Sequence, residues 1–245
     1  MTDDRWLRRY HPADDALVRL VCLPHAGGGA SFFHSLSKEV APAADVTVVQ
    51  YPGRQDRLSE PPLLTVRELA DGATQALLPW LDLPVVLFGH SMGATIAYEV
   101  ALRLEARGTG PSALVVSGRR APSRQVEANV HLQDDDRLLA EVEQLDGTDP
   151  QVLRDADLRS LILPALRADY TAIETYRPDG GGPLSTPIHA HTGADDQHAP
   201  LDDVRAWADH TTGTFTMETY PGGHFYLTQQ TTALATSLRR LITGL

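Results

Sequence analysis

Residues 83–93 read Leu-Pro-Val-Val-Leu-Phe-Gly-His-Ser-Met-Gly, and the stretch that follows, to Arg107, is amphipathic at helical spacing. A short apolar run that passes through Gly-x-Ser-x-Gly into a helix has the pattern of a sharp strand-to-helix turn. Small residues are needed two before and two after the serine, because side chains there would collide and block an approaching acyl group. The pattern makes Ser91 a candidate nucleophile at a strand end. The helix after it carries Ile96, Ala97, Val100, Ala101 and Leu104 on one apolar face, with Gly108 placed to cap its C-terminus.

Outward from Ser91 in both directions, short β-rich runs alternate with helix-length stretches. Strands are expected at Ala16–Leu23, Val46–Tyr51, Pro84–Gly89, Ala113–Ser117, Pro187–Thr192 and Phe215–Tyr220. Helices are expected near Ser31–Val40, Val66–Leu81, Met92–Arg107, Asp203–Asp209 and Leu227–Ile242, the second opened by the capping pair Thr65 and Glu68. That order specifies an α/β class with a mainly parallel central sheet flanked by helices. From Arg119 to Leu184 the alternation stops, which marks an insertion. Within it, Arg137–Leu145 and Leu158–Tyr176 read as helices over the strand ends, the second kinked or begun at Pro164, and Gly180–Pro183 as the return to the sheet.

The 245 residues fit one domain, 1–245, with 42% apolar and 22% charged residues. A net charge of −11 argues against nucleic acid as partner. There is no apolar run of membrane-spanning length and no secretory core in the first 15 residues, so a cytoplasmic protein with no membrane partner is expected. Cys22, the single cysteine, permits neither an internal disulfide nor a cysteine-built zinc site. It reads as a core residue, as do Trp6, Trp80 and Trp207.

A serine hydroxyl is a weak nucleophile near neutral pH and needs a base. Tyr220-Pro-Gly-Gly-His224-Phe225 offers His224 on a flexible loop after the last strand, in the chain order Ser…Asp…His of the α/β-hydrolase fold. Gly193-Ala-Asp195-Asp196, after the preceding strand, supplies two candidate acids of which one can face the imidazole. The oxyanion formed during acyl transfer needs donors. One is the backbone N–H of Met92, and the other lies in the glycine-rich loop Leu23-Pro-His-Ala-Gly-Gly-Gly29.

Leu23-Pro-His-Ala-Gly-Gly28, Tyr51-Pro-Gly-Arg54, Gly89-His-Ser-Met-Gly93, Leu163-Pro-Ala-Leu-Arg-Ala-Asp-Tyr170 and Gly222-Gly-His-Phe225 together closely resemble the type II thioesterases of polyketide synthase and nonribosomal peptide synthetase systems. The resemblance runs from about Val18 to the C-terminal helix. It implies a free-standing enzyme that hydrolyses misplaced acyl groups from the phosphopantetheine arm of an acyl or peptidyl carrier protein. It implies a helical lid at the 119–184 insertion, Asp196 rather than Asp195 as the triad acid, and Ala26 as the first oxyanion donor. The Gln197-His198 pair after the acid departs from the family, where proline or a small residue is common. A monomer without cofactor or metal is expected, with Arg119, Arg120 and Arg124 as exposed steering charges for an acidic carrier.

Rival readings are a carboxylester hydrolase of the same fold, a metallohydrolase built on His189, His191, Asp195, Asp196 and His198, and a non-catalytic carrier-binding module. Oxygen ester against thioester, and sensitivity to chelation, discriminate among them.

Overall fold

The computed structural model describes residues 4–145, 147, 155–178 and 182–245. Its seven strands among these residues are β1 (Leu7–Arg8), β2 (Arg19–Leu23), β3 (Asp45–Val49), β4 (Val85–His90), β5 (Ala113–Ser117), β6 (Ile188–Gly193) and β7 (Phe215–Tyr220), in the spatial order β1-β3-β2-β4-β5-β6-β7. All neighbours are parallel except β1, which runs antiparallel to β3 through Leu7–Val49 and Arg8–Val48. A two-residue strand has no periodicity to read, and β1 was not among the expected elements.

Helices α1 (His34–Val40), α2 (Val66–Leu77), α3 (Met92–Glu105), α4 (Asp135–Gln144), α5 (Ala156–Thr175), α6 (Leu201–Arg205), α7 (Tyr226–Gln229) and α8 (Thr231–Thr243) accompany the sheet. Alternation along the strands sorts the core into two layers. Leu20, Cys22, Val86 and Phe88 pack with α1 and α8, whereas Val21, Leu23, Val85 and Leu87 pack with α2 and α3. All eight are buried, so these strands read as continuous apolar runs. Trp6 and Trp207 are core residues. Trp80 is only half-buried and lies under the Arg19 guanidinium, 4.8 Å from it.

The caps follow the expected chemistry. Thr65 accepts the Glu68 N–H at 3.1 Å, and the Glu68 carboxylate accepts the Thr65 hydroxyl. Gly108, at φ +73°, ends α3 with N–H bonds from Gly108 to Glu105 and from Thr109 to Leu104, a left-handed termination. The acidic run 134–136 is the cap and first turn of α4: Asp134 accepts the Arg137 N–H at 2.9 Å.

Pro164 neither begins nor ends a helix, contrary to one expectation. α5 begins at Ala156, where the Asp155 carboxylate accepts two N–H groups at 2.9 and 3.0 Å. Pro164 and Ser160, the residue whose carbonyl it cannot bond, are both exposed, so the hydrogen bond is lost on the solvent side. Of the expected glycine return, Gly180 and Gly181 lie outside the described residues.

The strand order reverses between β2 and β4, since the chain moves outward to β3 before returning. The crevice at the carboxyl ends of these two strands is where an open α/β sheet places a ligand. The loop after β2 and the turn after β4 meet there.

Candidate active site

β4 ends at His90, and the chain turns into α3 through Ser91, which holds φ 54° and ψ −119°. A non-glycine residue there is strained and persists because its surroundings over-determine it. The Ser91 N–H is held by the Ser117 carbonyl at 2.8 Å. A Cβ at Gly89 would lie 2.1 Å from the Gly93 carbonyl oxygen, and one at Gly93 would lie 2.0 Å from that of Leu23. The two glycines are therefore required by backbone contact, and the second lets α3 press against the end of β2.

Ser91 Oγ lies 2.9 Å from His224 Nε2, and His224 Nδ1 lies 2.9 Å from Asp196 Oδ2. A carboxylate only accepts, so Nδ1 carries the proton and the neutral Nε2 is left to accept from the serine hydroxyl. The other Asp196 oxygen accepts the N–H groups of His198 and Ala199 at 2.8 and 3.1 Å. Burial would raise the Asp196 carboxyl, but the His224 hydrogen bond and charge and these two N–H groups outweigh it and hold it below its ordinary value. Asp195 is exposed. Of the two acids, Asp196 is the one brought to His224.

Ala26 and Met92 line the same cavity as Ser91 and His224, a space of about 230 Å³. Met92 opens α3, where N–H groups have no partner within the helix and the positive end of the dipole faces outward. The remaining wall has an apolar part, which includes Val126, Val130, Val142, Leu145, Tyr170 and Ile173, and a polar part that includes Arg119, Arg120, Glu141 and Glu174. Four of these six apolar residues come from α4, α5 and the residue that ends α4. A carbonyl brought beside Ser91 would meet a candidate base, two candidate oxyanion donors and an apolar patch, the parts acyl transfer requires.

The thioesterase-domain family matches residues 18–242. The chain belongs to the thioesterase family. This thioesterase is 50% identical to thioesterase PikA5 of Streptomyces venezuelae over 92% of its own length and 81% of the relative. It is 48% identical to a probable cadicidin biosynthesis thioesterase of Streptomyces griseus over 98% of its length and 67% of that protein. The solved structure of the type II thioesterase BorB, from the borrelidin biosynthetic cluster, superposes with a TM-score of 0.92 at 48% identity, covering 99% of each chain. The protein is a thioester hydrolase of the α/β-hydrolase fold.

The thioesterase departs from expectation at its arginines. Only Arg124 stands exposed. Arg120 donates from Nε and Nη2 to the His198 carbonyl at 3.2 and 2.9 Å and lies 3.5 Å from Asp203. Arg119 lines the cavity, and burial, with Arg120 beside it, pulls its guanidinium down to about 10. Trp207 Nε1 donates to the Arg119 carbonyl at 2.8 Å just after β5, and the Arg119 and Arg120 side chains both line the cavity.

The metallohydrolase residues are divided between two places. His189 and His191 face β7, 2.7 Å from Thr216 and 2.9 Å from Tyr220, while Asp196 is turned to His224. Among the described residues no cluster of three or more His, Cys, Asp or Glu is arranged for a metal ion. No helix among them is long and apolar enough to cross a membrane.

A buried polar chain that sequence reasoning missed lies behind Ser91. His90 Nδ1 is 2.9 Å from Ser117 Oγ, which is 2.8 Å from the Tyr226 hydroxyl. Burial, reinforced by His224 and His25, drives the His90 imidazole well below its ordinary value and keeps it neutral. Its only sequence signal was its place inside Gly-His-Ser-Met-Gly.

Proposed function

We propose that this thioesterase is a type II, editing enzyme whose substrate is an acyl group carried as a thioester on the phosphopantetheine arm of an acyl or peptidyl carrier protein. Ser91 is the nucleophile, His224 the general base, Asp196 the acid that orients it, and the Ala26 and Met92 N–H groups receive the oxyanion. The observation that carries this reading is the unbroken hydrogen-bonded line from Asp196 through His224 to Ser91, which lines a cavity with an apolar patch.

Ser91 Oγ attacks the thioester carbonyl as its proton passes to His224 Nε2, and the carbonyl oxygen becomes the bound oxyanion. Collapse breaks the C–S bond, and His224 returns the proton to the departing pantetheine sulfur. Water then attacks the acyl-enzyme with His224 again as base, releasing the free acid and restoring Ser91. Helices α4 and α5 serve as the lid of one hydrolase domain, excluding bulk water and contacting the acyl chain. The carrier assignment rests on the family relationship and on the cavity beside Ser91, whose apolar patch can take an acyl chain. The reading keeps the monomeric state and cytoplasmic setting expected from the sequence.

The test is mass spectrometry of carrier proteins loaded with different acyl groups, before and after incubation with the enzyme. Loss of the acyl mass with wild-type protein, and retention with Ser91→Ala, is expected, the kcat difference being about 10⁶. The pantetheine thioester should be cleaved faster than the oxygen ester of the same acid. Carriers that stay fully acylated with wild-type enzyme, or turnover surviving in Ser91→Ala, would overturn the assignment.

A further inference from the structure

Two sequence stretches that no catalytic step uses, Tyr51-Pro-Gly-Arg54 and Leu163–Tyr170, meet in the structure at the loop carrying Ala26. Asp169 of α5 is fully buried, and both its oxygens accept from the Arg54 guanidinium, Oδ1 from Nη2 at 2.9 Å and Oδ2 from Nη1. The same Oδ2 accepts the Gly27 N–H at 2.7 Å. Arg54 also donates to the Gly28 carbonyl at 3.3 Å. The Tyr51 hydroxyl donates to the Pro24 carbonyl at 3.3 Å, and Gln50 Oε1 accepts the Ala30 N–H at 2.7 Å.

The loop between Pro24 and Ala30 is therefore held at four points, and none of these contacts uses the N–H of Ala26. Gly27 sits at φ +74°, with Leu166 of α5 filling the space a Cβ would take, 2.8 Å away. Leu166, Asp169 and Tyr170 fall on one face of α5 by their spacing, so one helix face both covers and fastens the loop. The Asp169 charge lies one residue from the proposed oxyanion donor. Unneutralised, it would oppose the negative charge that develops there, and the two-pronged Arg54 contact balances it.

We propose that Asp169 and Arg54 are positioning residues for acyl transfer: through Gly27 they fix the Ala26 N–H toward the oxyanion, and they make the second half of α5 part of the catalytic framework. This rests on the Ser91 reading above. The test compares two ligands built on one acyl-pantetheine skeleton. A trifluoromethyl ketone adds Ser91 Oγ to form a tetrahedral oxyanion, and an amide binds without one.

Asp169→Asn and Arg54→Gln should each lower kcat about 10- to 100-fold, less than deletion of a donor because the N–H is misplaced and not removed. KM should stay within about threefold, as for a loss confined to the transition state. Affinity for the ketone should fall in step with kcat while the amide binds as before. The double variant should be no worse than the poorer single, because the two act as one unit. If Asp169→Asn does not fold, Arg54→Lys, which keeps the charge and loses the fork, replaces it with the same ratio read.

Equal losses of ketone and amide affinity, or a lowered Tm with kcat unchanged per folded molecule, would overturn the positioning role and leave the site intact. Ketone binding that is no tighter in wild type than in Ser91→Ala would overturn the site itself, and the pair's role with it.

Discussion

The cavity has two walls of opposite construction. The strand-end wall is fixed at the Ser91 turn by backbone, since Gly89 and Gly93 lie too close to neighbouring carbonyls for any side chain, and at the Gly27 loop by buried side chains. The helical wall rests on a separate small cluster, Leu138, Leu139, Val142, Leu166 and Tyr170. Its outer ties are ion pairs to exposed acids, Arg159–Asp136 and Arg167–Asp135, each worth at most about 1 kcal/mol. The difference teaches where sequence change is tolerated. The proposed chemistry sits at the turn that backbone contacts hold in place, while the outer part of the helical wall, tied by exposed ion pairs, is the part that can be rebuilt at small cost.

The sharpest way to break this contrast is at Asp196. Asp196→Asn keeps the shape but favours the wrong imidazole tautomer, and kcat should fall about 10⁴-fold. Asp195→Asn, at the exposed neighbour, should stay near wild type. Steady-state kinetics on an acyl-pantetheine thioester decides between them, and a larger loss at Asp195 would redraw the strand-end wall.

A second, smaller effect comes from pH. Burial, with His224 and Arg54 adding to it, lowers the His25 imidazole to about 3, against about 6.5 in the unfolded chain. Between those values the unfolded chain binds a proton that the native protein does not. Stability is therefore full above about pH 6.5 and declines below it by about 1.4 kcal/mol per unit, about 2 kcal/mol at pH 5. His90 acts in the same direction. Urea denaturation at pH 7 and pH 5 should show His25→Gln losing less than wild type by about that amount. Parallel declines would mean that this wall admits the proton.

The smallest expected effect is on the outer part of the helical wall. Leu161, on the first half of α5, is 47% exposed, and Leu161→Ser should shift stability by no more than about 0.5 kcal/mol. A loss above 1 kcal/mol in the same denaturation experiment would show that this half is bound as firmly as the rest.

The sheet was legible because its central strands β2, β4 and β5 are buried, largely apolar runs separated by helices, and β5 and β7 fall on the expected residues. Ser91 and His224 could be singled out because glycines lie next to or near each of them, a local signal of tight turns, whereas the stretch after Gly193 offered both Asp195 and Asp196 and only the family resemblance favoured Asp196. Asp169 and Arg54 are 115 residues apart, and nothing in either stretch announces a buried pair. Their motifs were visible, and their meeting was not. Arg119 and Arg120 misled for a related reason. Charge in a sequence suggests exposure, but both arginines line the cavity, and Arg120 also donates to the His198 carbonyl.

Cys22 offers a practical use for this architecture. It is the single thiol in 245 residues, lies on β2 with no exposed surface, and burial raises it far above the range in which thiolates form. The native chain therefore presents a silent background to maleimide chemistry. A cysteine introduced on the outer face of α5 would carry the sole fluorophore or spin label, and distances between the two walls could be followed during turnover without first removing any residue of the natural protein.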